Sequence, residues 1–146
     1  MPKFMKMLND ISRSQATYRQ ARVEADDLSA GQYALCLAIG RAPGRSQEEI
    51  ARDLCLNKST VARQLTRLEE RGYVERRPLA CDRRCFSVYP TEKLLGVLPS
   101  IKKSSVEWNA LLSSGIDEGE MAVFLSVLEQ MHTRASRIAS EGEVGE

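Results

Sequence analysis

Two short helical signals followed directly by a strand pattern limit the fold of this sequence more than any other feature. Ser46 and Glu49 form an S-x-x-E capping box that begins one short helix, and Asn57 can cap a second helix that stops at Gly72. After it, YVERR predicts a strand, PLACDRR a loop and CFSVY another strand, which together form a β-hairpin with a long tip. Two short helices and a hairpin must therefore share one small core.

Longer helices flank this central part. Apolar residues recur at helical spacing from Phe4, and Ser29 with Gln32 repeats the capping box at the start of another helix. Thr91 can cap a long helix that Pro99 is expected to kink. A last helix carries a three-four apolar repeat at Met121, Phe124, Leu125, Leu128, Met131, Ala135 and Ile138. The order predicts a mostly α fold with a small β-hairpin wing (α+β), a winged helix-turn-helix between terminal helices.

Charge is distributed unevenly along the chain, although the formal net charge is only +1. Residues 52–93 carry ten basic and six acidic groups, whereas residues 107–146 carry two arginines and eight acids. A basic centre beside an acidic tail favours a nucleic-acid partner, and an ordinary solvated surface is the alternative.

The second helix of the pair has a polar face that is free of carboxylates until Glu69. Val61, Leu65 and Leu68 form the narrow stripe expected to pack on the core. Arginine can bond guanine and glutamine adenine, while lysine, serine and threonine suit phosphates. Contact with DNA is therefore favoured over a plain amphipathic surface helix. The candidate contacts are Lys58, Ser59, Thr60, Arg63, Gln64 and Arg67.

The run SQEEIARDLCLNKSTVARQLTRLEERGYVERRPLACDRRCFSVYPTEK resembles the MarR family of bacterial transcriptional regulators. The hairpin fits the family's D-x-R-x-x-x-V-x-L-T wing pattern at Asp82, Arg84, Val88 and Thr91, and departs from it at Pro90, where leucine is usual. SGIDEGEMAVFLSVLEQM is similar to the family's last helix. The resemblance implies a homodimeric repressor or activator, with repression favoured, that reads a pseudo-palindromic operator in double-stranded DNA and needs no cofactor.

In this family the wing arginine enters the minor groove, where narrow grooves concentrate negative potential. The resemblance therefore implies that Arg84 is inserted and that Asp82 supports the loop. Arg83, and at the wing base Arg76 or Arg77, would contact flanking phosphates.

Apolar stripes on the first and last helices support the dimer independently, because one small winged helix offers little surface to cover them. An intramolecular helical bundle is the alternative. The expected organisation is residues 1–28 as an N-terminal dimerisation helix, 29–92 as the winged helix-turn-helix DNA-binding domain and 93–146 as C-terminal dimerisation helices. The expected dimer residues are Phe4, Leu8, Ile11, Leu125, Leu128 and Met131.

The cysteines of CDRRC, Cys81 and Cys85, raise a separate question. Three residues lie between them rather than the two of common zinc or redox pairs, and His132 is the only histidine, so no metal site is expected. Flanking arginines lower the pKa of a thiol, so a redox-sensing regulator is an alternative function. Incidental small residues in a reducing cytoplasm are the other interpretation.

The resemblance also implies a small aromatic or anionic ligand between the dimer helices and the winged domain. The candidate pocket residues are Tyr18, Arg22, Tyr33, Leu37, Trp108 and Leu112, although their pattern also fits plain core packing.

Other classes of protein fit less well. GRAPGRS lacks the lysine and spacing of a phosphate-binding loop, and one histidine offers no catalytic set, so an enzyme is not expected. The longest apolar run, YALCLAI, is too short to span a membrane, which favours a cytoplasmic protein without a membrane partner. A winged-helix protein-interaction module is the remaining rival. Arginines on both the helix face and the wing tip favour DNA over it.

Overall fold

Six helices and one two-stranded antiparallel sheet make up the described part of the chain. The computed structural model describes residues 2–23, 27–80 and 82–142. The elements are α1 Pro2–Gln20, α2 Ala30–Arg41, α3 Gln47–Asp53, α4 Lys58–Glu70, β1 Val74–Leu79, β2 Asp82–Pro90, α5 Glu92–Ser113 and α6 Glu118–Gly142. This order confirms the predicted mostly α fold with a β-hairpin wing.

Local hydrogen bonds explain where the two central helices begin and end. Ser46 donates its backbone amide to Oε2 of Glu49 at 2.8 Å, and its hydroxyl accepts from the Glu49 amide at 3.1 Å. The Asn57 side chain accepts from the amide of Ser59 at 2.8 Å. Gly72, at φ +77°, adopts the left-handed conformation that follows the end of α4. The predicted caps of α3 and α4 are thus confirmed.

One apolar core fills the first of two compact units, Met1–Trp108, and joins α2 through α5 with the hairpin. Val61, Leu65 and Leu68 are completely buried in it, which confirms the predicted inner stripe of α4. The backbone of α2 approaches α5 closely at Gly40. A Cβ atom there would lie 2.4 Å from Cδ1 of Leu98.

The hairpin has longer strands and a shorter tip than the sequence predicted. β1 continues to Leu79 and β2 begins at Asp82, so most of PLACDRR is strand rather than loop. Pairing runs from Val74–Pro90 to Pro78–Phe86 and then shifts to Leu79–Asp82, which leaves residues 83–85 in a bulge. The loop prediction was wrong because proline and charged residues can occupy an irregular hairpin end.

A third segment extends this sheet next to α3. Gly44 donates its amide to the carbonyl of Val88 at 2.8 Å, and Val88 donates to the carbonyl of Arg45 at 2.9 Å. The break RAPGR therefore ends as a short strand-like edge that attaches the wing to the beginning of α3.

The second compact unit, Asn109–Glu146, contains the end of α5 and all of α6. Gly115, at φ +80°, lies in the turn between these helices. Large apolar side chains of α6 are exposed in the single chain: Val123, Phe124, Leu125, Val127, Met131 and Ile138. None of the described helices is both long enough and apolar enough to cross a membrane.

Candidate nucleic-acid interface

The outer face of α4 carries most of the predicted contacts. Lys58, Ser59, Arg63 and Arg67 are exposed, and Thr60 is half-buried beside them. The cap at Asn57 fixes the first turn, because its side chain accepts from both the amide and the hydroxyl of Ser59. Two arginines one helical turn apart on an exposed face can reach adjacent base or phosphate positions.

Gln64 lies at the margin of this face, as predicted, but its side chain is turned partly inward. Its Oε1 atom is buried and has no hydrogen-bond partner among the described residues. Bidentate reading of adenine requires both the oxygen and the nitrogen of a glutamine amide. The Gln64 side chain would therefore have to rotate outward before it could read a base.

The wing meets the beginning of α4 across a groove of about 290 Å³. Arg84 is exposed at this groove, so the structure brings together the predicted helix contacts and the predicted wing arginine. The residues that line this groove include Lys58, Ser59, Arg84, Cys85 and Phe86. Cys81 and the side chains of Asp82 and Arg83 lie outside the described residues.

The two arginines at the wing base have different surroundings. Arg77 is exposed, with its guanidinium 4.2 Å from the centroid of the Tyr89 ring and hydrogen-bonded to Glu75 at 3.3 and 3.1 Å. Those hydrogen bonds raise the pKa of Arg77. Arg76 instead bonds Glu69 at 2.7 Å and joins the hairpin to α4. Of the two alternatives for a phosphate contact, the geometry favours Arg77.

Three of the predicted pocket residues lie together. The rings of Tyr18 and Trp108 are 5.4 Å apart, and the Arg22 guanidinium lies 3.6 Å from the Tyr18 ring centroid. Arg22 also lines a groove of about 430 Å³ with Gly96, Val97, Ser100, Lys103, Ser104 and Glu107.

The other three predicted pocket residues are placed differently. Tyr33 is buried in the core of the first unit, and Leu37 packs against that core. Leu112 is exposed and belongs to the second compact unit.

The sequence pattern did not single out Arg19, the most unusual cation of the first unit. It is only 9% exposed, its guanidinium lies 5.0 Å from the Tyr33 ring centroid, and it donates to the hydroxyl of Ser105 at 3.4 Å. Its buried Nε has no hydrogen-bond partner among the described residues, and burial lowers its pKa. A signal was present, because Arg19 continues the helical spacing of Leu8 and Ile11.

A helix pair with a basic outer face, joined to a hairpin that carries exposed arginine, defines a winged-helix DNA-binding protein. Comparison with known proteins gives the family. The MarR family model matches residues 28–86. The transcriptional regulator HosA of Escherichia coli O157:H7 is 35% identical over 113 residues, which cover 75% of this chain and 82% of HosA. The chain belongs to the MarR family of transcriptional regulators, which bind DNA and are not enzymes.

Solved structures agree with this assignment. The crystal structure of MarR matches with a TM-score of 0.77 and 31% identity, over 94% of this chain and 93% of that one. A putative MarR family regulator from Listeria monocytogenes, crystallised with a 26mer DNA, matches with a TM-score of 0.86 and 20% identity, over 97% and 95% of the two chains. The predicted family and fold are confirmed.

Proposed function

We propose that this protein is a cytoplasmic homodimeric repressor whose two α4 helices and wings bind a pseudo-palindromic operator, and that a small anionic aromatic ligand releases it. The observation that carries the proposal is the shared groove between α4 and the wing. Lys58 at the start of α4 and Arg84 of β2 both line it, so helix and wing present cations to one stretch of DNA.

Exposed apolar side chains on α1 and α6 support the proposal of a homodimer. In α1, Met5, Met7 and Ile11 are 55%, 53% and 39% exposed, and α6 carries a longer series. Large apolar side chains left exposed on a helix mark an interaction site. A second copy would cover it and would place two α4 helices at the half-site spacing of an operator.

The surroundings of Arg19 and the groove at Arg22 support the proposal of an anionic aromatic ligand. The buried Nε of Arg19 has no hydrogen-bond partner within the described part of the chain. A carboxylate, which accepts two hydrogen bonds from a guanidinium in a bidentate geometry, would compensate for this loss of solvation. The rings of Tyr18 and Trp108, which lie beside each other and close to Arg22, offer apolar contact to an aromatic body. Such a ligand would release DNA only if it binds the DNA-free form more tightly.

Oxidation is a second candidate signal, and the position of Cys85 favours it. Cys85 lines the same groove as Lys58 and Arg84, so an oxidised thiol there would add a negative charge or bulk where phosphates approach. Cys81, its predicted partner, lies outside the described residues.

Fluorescence anisotropy with the duplex that the reduced protein selects from a random library tests the operator proposal. Arg63→Ala should weaken that complex by roughly 1–3 kcal/mol and relax one base position. Arg84→Ala should weaken it chiefly where the flank is A·T-rich. Arg41→Ala, at the exposed end of α2, is the matched control and should bind normally. Unchanged affinity for both Arg63→Ala and Arg84→Ala would contradict the assignment.

Benzoate tests the ligand proposal on the same complex, with benzyl alcohol as the uncharged control. Benzoate should release the wild-type protein from DNA, and Arg19→Met should no longer respond. Peroxide followed by a reductant tests the oxidation signal, with Cys85→Ala as the variant that should no longer respond.

A further inference from the structure

Side chains from three parts of the chain meet where α4 ends. The Tyr73 hydroxyl donates to Oδ1 of Asp27 at 2.5 Å, and Nζ of Lys93 lies 3.5 Å from Oδ2 of the same carboxylate. Lys93 also donates to the backbone carbonyl of Arg71 at 2.8 Å. One carboxylate from the segment before α2 thus joins the residues that follow α4 to the first turn of α5.

Arg71 adds a second set of bonds at the same place. Its guanidinium donates to the backbone carbonyl of Asp27 and, at 3.4 Å, to Oε1 of Gln32. Gln32 is 1% exposed, and the same oxygen accepts the backbone amide of Ser29 at 2.9 Å. The capping box of α2 is therefore bonded directly to the carboxyl end of α4.

These contacts lie at the opposite end of α4 from the groove that Lys58 lines. Arg71 lies thirteen positions after Lys58, a length of about 20 Å at the helical rise. A rotation of about 5° around the carboxyl end would move the amino end by roughly 1.7 Å over that length. Hydrogen bonds to base edges are directional and would not tolerate such a shift, whereas long side chains can follow a phosphate.

We propose that Asp27 is a positioning residue for DNA recognition, which through Tyr73, Arg71 and Lys93 fixes the direction of α4 without touching DNA itself. The inference rests on the proposed reading of an operator by α4. It predicts that loss of the Asp27 bonds lowers the preference for the operator over other DNA, while the general attraction to phosphates is kept. Because the Tyr73 hydrogen bond lowers the pKa of Asp27, the carboxylate is charged at neutral pH.

The experiment compares Asp27→Asn and Tyr73→Phe with the wild-type protein. Tyr73→Phe removes only the hydroxyl and keeps the buried ring. Asp10→Asn is the matched control, because Asp10 also accepts bonds from two cations, Lys6 and Arg13, but within α1. Anisotropy is measured on the selected operator duplex and on a scrambled duplex of the same composition across a salt series, and thermal melting is recorded for each variant.

The expected result is a loss of operator affinity of about five- to tenfold in both test variants, with unchanged affinity for the scrambled duplex and an unchanged salt slope. Asp10→Asn should retain the wild-type ratio. Equal affinities in all proteins would overturn the inference, and so would a parallel loss on both duplexes. If the wild-type protein itself prefers no duplex, the proposed function fails first, and this positioning role fails with it.

Discussion

The guanidinium of Arg77 lies 4.2 Å from the centroid of the Tyr89 ring, on the neighbouring strand of the wing. Glu75 holds the same guanidinium by two hydrogen bonds, at 3.3 and 3.1 Å. An arginine fixed between a ring and a carboxylate keeps its charge and loses little entropy when an anion arrives. Such a cation at the wing base suits a phosphate better than a base edge.

Replacement of Arg77 should therefore weaken DNA binding without changing sequence preference. In Arg77→Ala, affinity should fall by a similar factor on all duplexes, and the slope of log affinity against log salt should become shallower by about 0.9. Anisotropy titrations over a salt series measure both. Arg77→Lys keeps the charge and should retain the wild-type slope. A change in sequence preference instead would show that Arg77 reads a base.

Much of α4 could be predicted, because its features depend on nearby sequence. The cap at Asn57, the stop at Gly72 and the inner stripe that includes Leu65 all follow from residues within a few turns of one another. The wing bulge could not, because its register depends on pairing between Pro78 and Phe86 rather than on alternation.

The burial of Arg19 could not be predicted, for a similar reason. Arg19 has the spacing of a core residue in the sequence, and only the folded unit shows the Tyr33 ring and the Ser105 hydroxyl beside it. In the cluster at Asp27, this residue is likewise bonded to Arg71 and to Tyr73, which follow it by 44 and 46 positions in the sequence. Tertiary hydrogen bonds of this kind have no local signature in one sequence.

The thiols of Cys36 and Cys55 should differ sharply in reactivity. Cys36 is completely buried, and burial raises the pKa of its thiol to about 12, so the reactive thiolate is scarce at pH 8. Cys55 is exposed in the turn before α4. Iodoacetamide at pH 8 should modify Cys55 within minutes and leave Cys36 intact, as followed by peptide mass spectrometry. In concentrated urea both should react at similar rates, and rapid labelling of Cys36 without urea would contradict its burial.

Replacement by alanine should have opposite effects on stability at two glycines of α2. Gly40→Ala would place Cβ against Leu98, which is only 5% exposed, and overpacking of this kind costs about 1–3 kcal/mol. That cost should outweigh the helix-propensity gain of about 1 kcal/mol. At Gly31, among the described residues and apart from the backbone of its own helix turn, no atom lies within 4 Å of the added Cβ. Gly31→Ala should therefore stabilise by about 0.5–1 kcal/mol. Urea unfolding at one fixed protein concentration measures both, and a stabilised Gly40→Ala would show that Leu98 can move aside.

Acid should remove the contribution of Asp27 to stability. The Tyr73 hydrogen bond holds the pKa of Asp27 below its usual value of 3.8, with the charge of Lys93 acting in the same direction. Because the folded-state pKa is the lower one, the stabilisation is fully present above the unfolded pKa and is lost as pH falls through the folded pKa. Urea unfolding at pH 7 should show Asp27→Asn to be less stable than the wild-type protein. The difference should begin to shrink below about pH 4, where the carboxyl of the unfolded chain is protonated. It should be lost once the pH is below the lowered folded-state pKa, where the folded carboxyl is neutral too. A difference that stays constant down to pH 2.5 would mean that the charge of Asp27 contributes nothing and that only its shape matters at the end of α4.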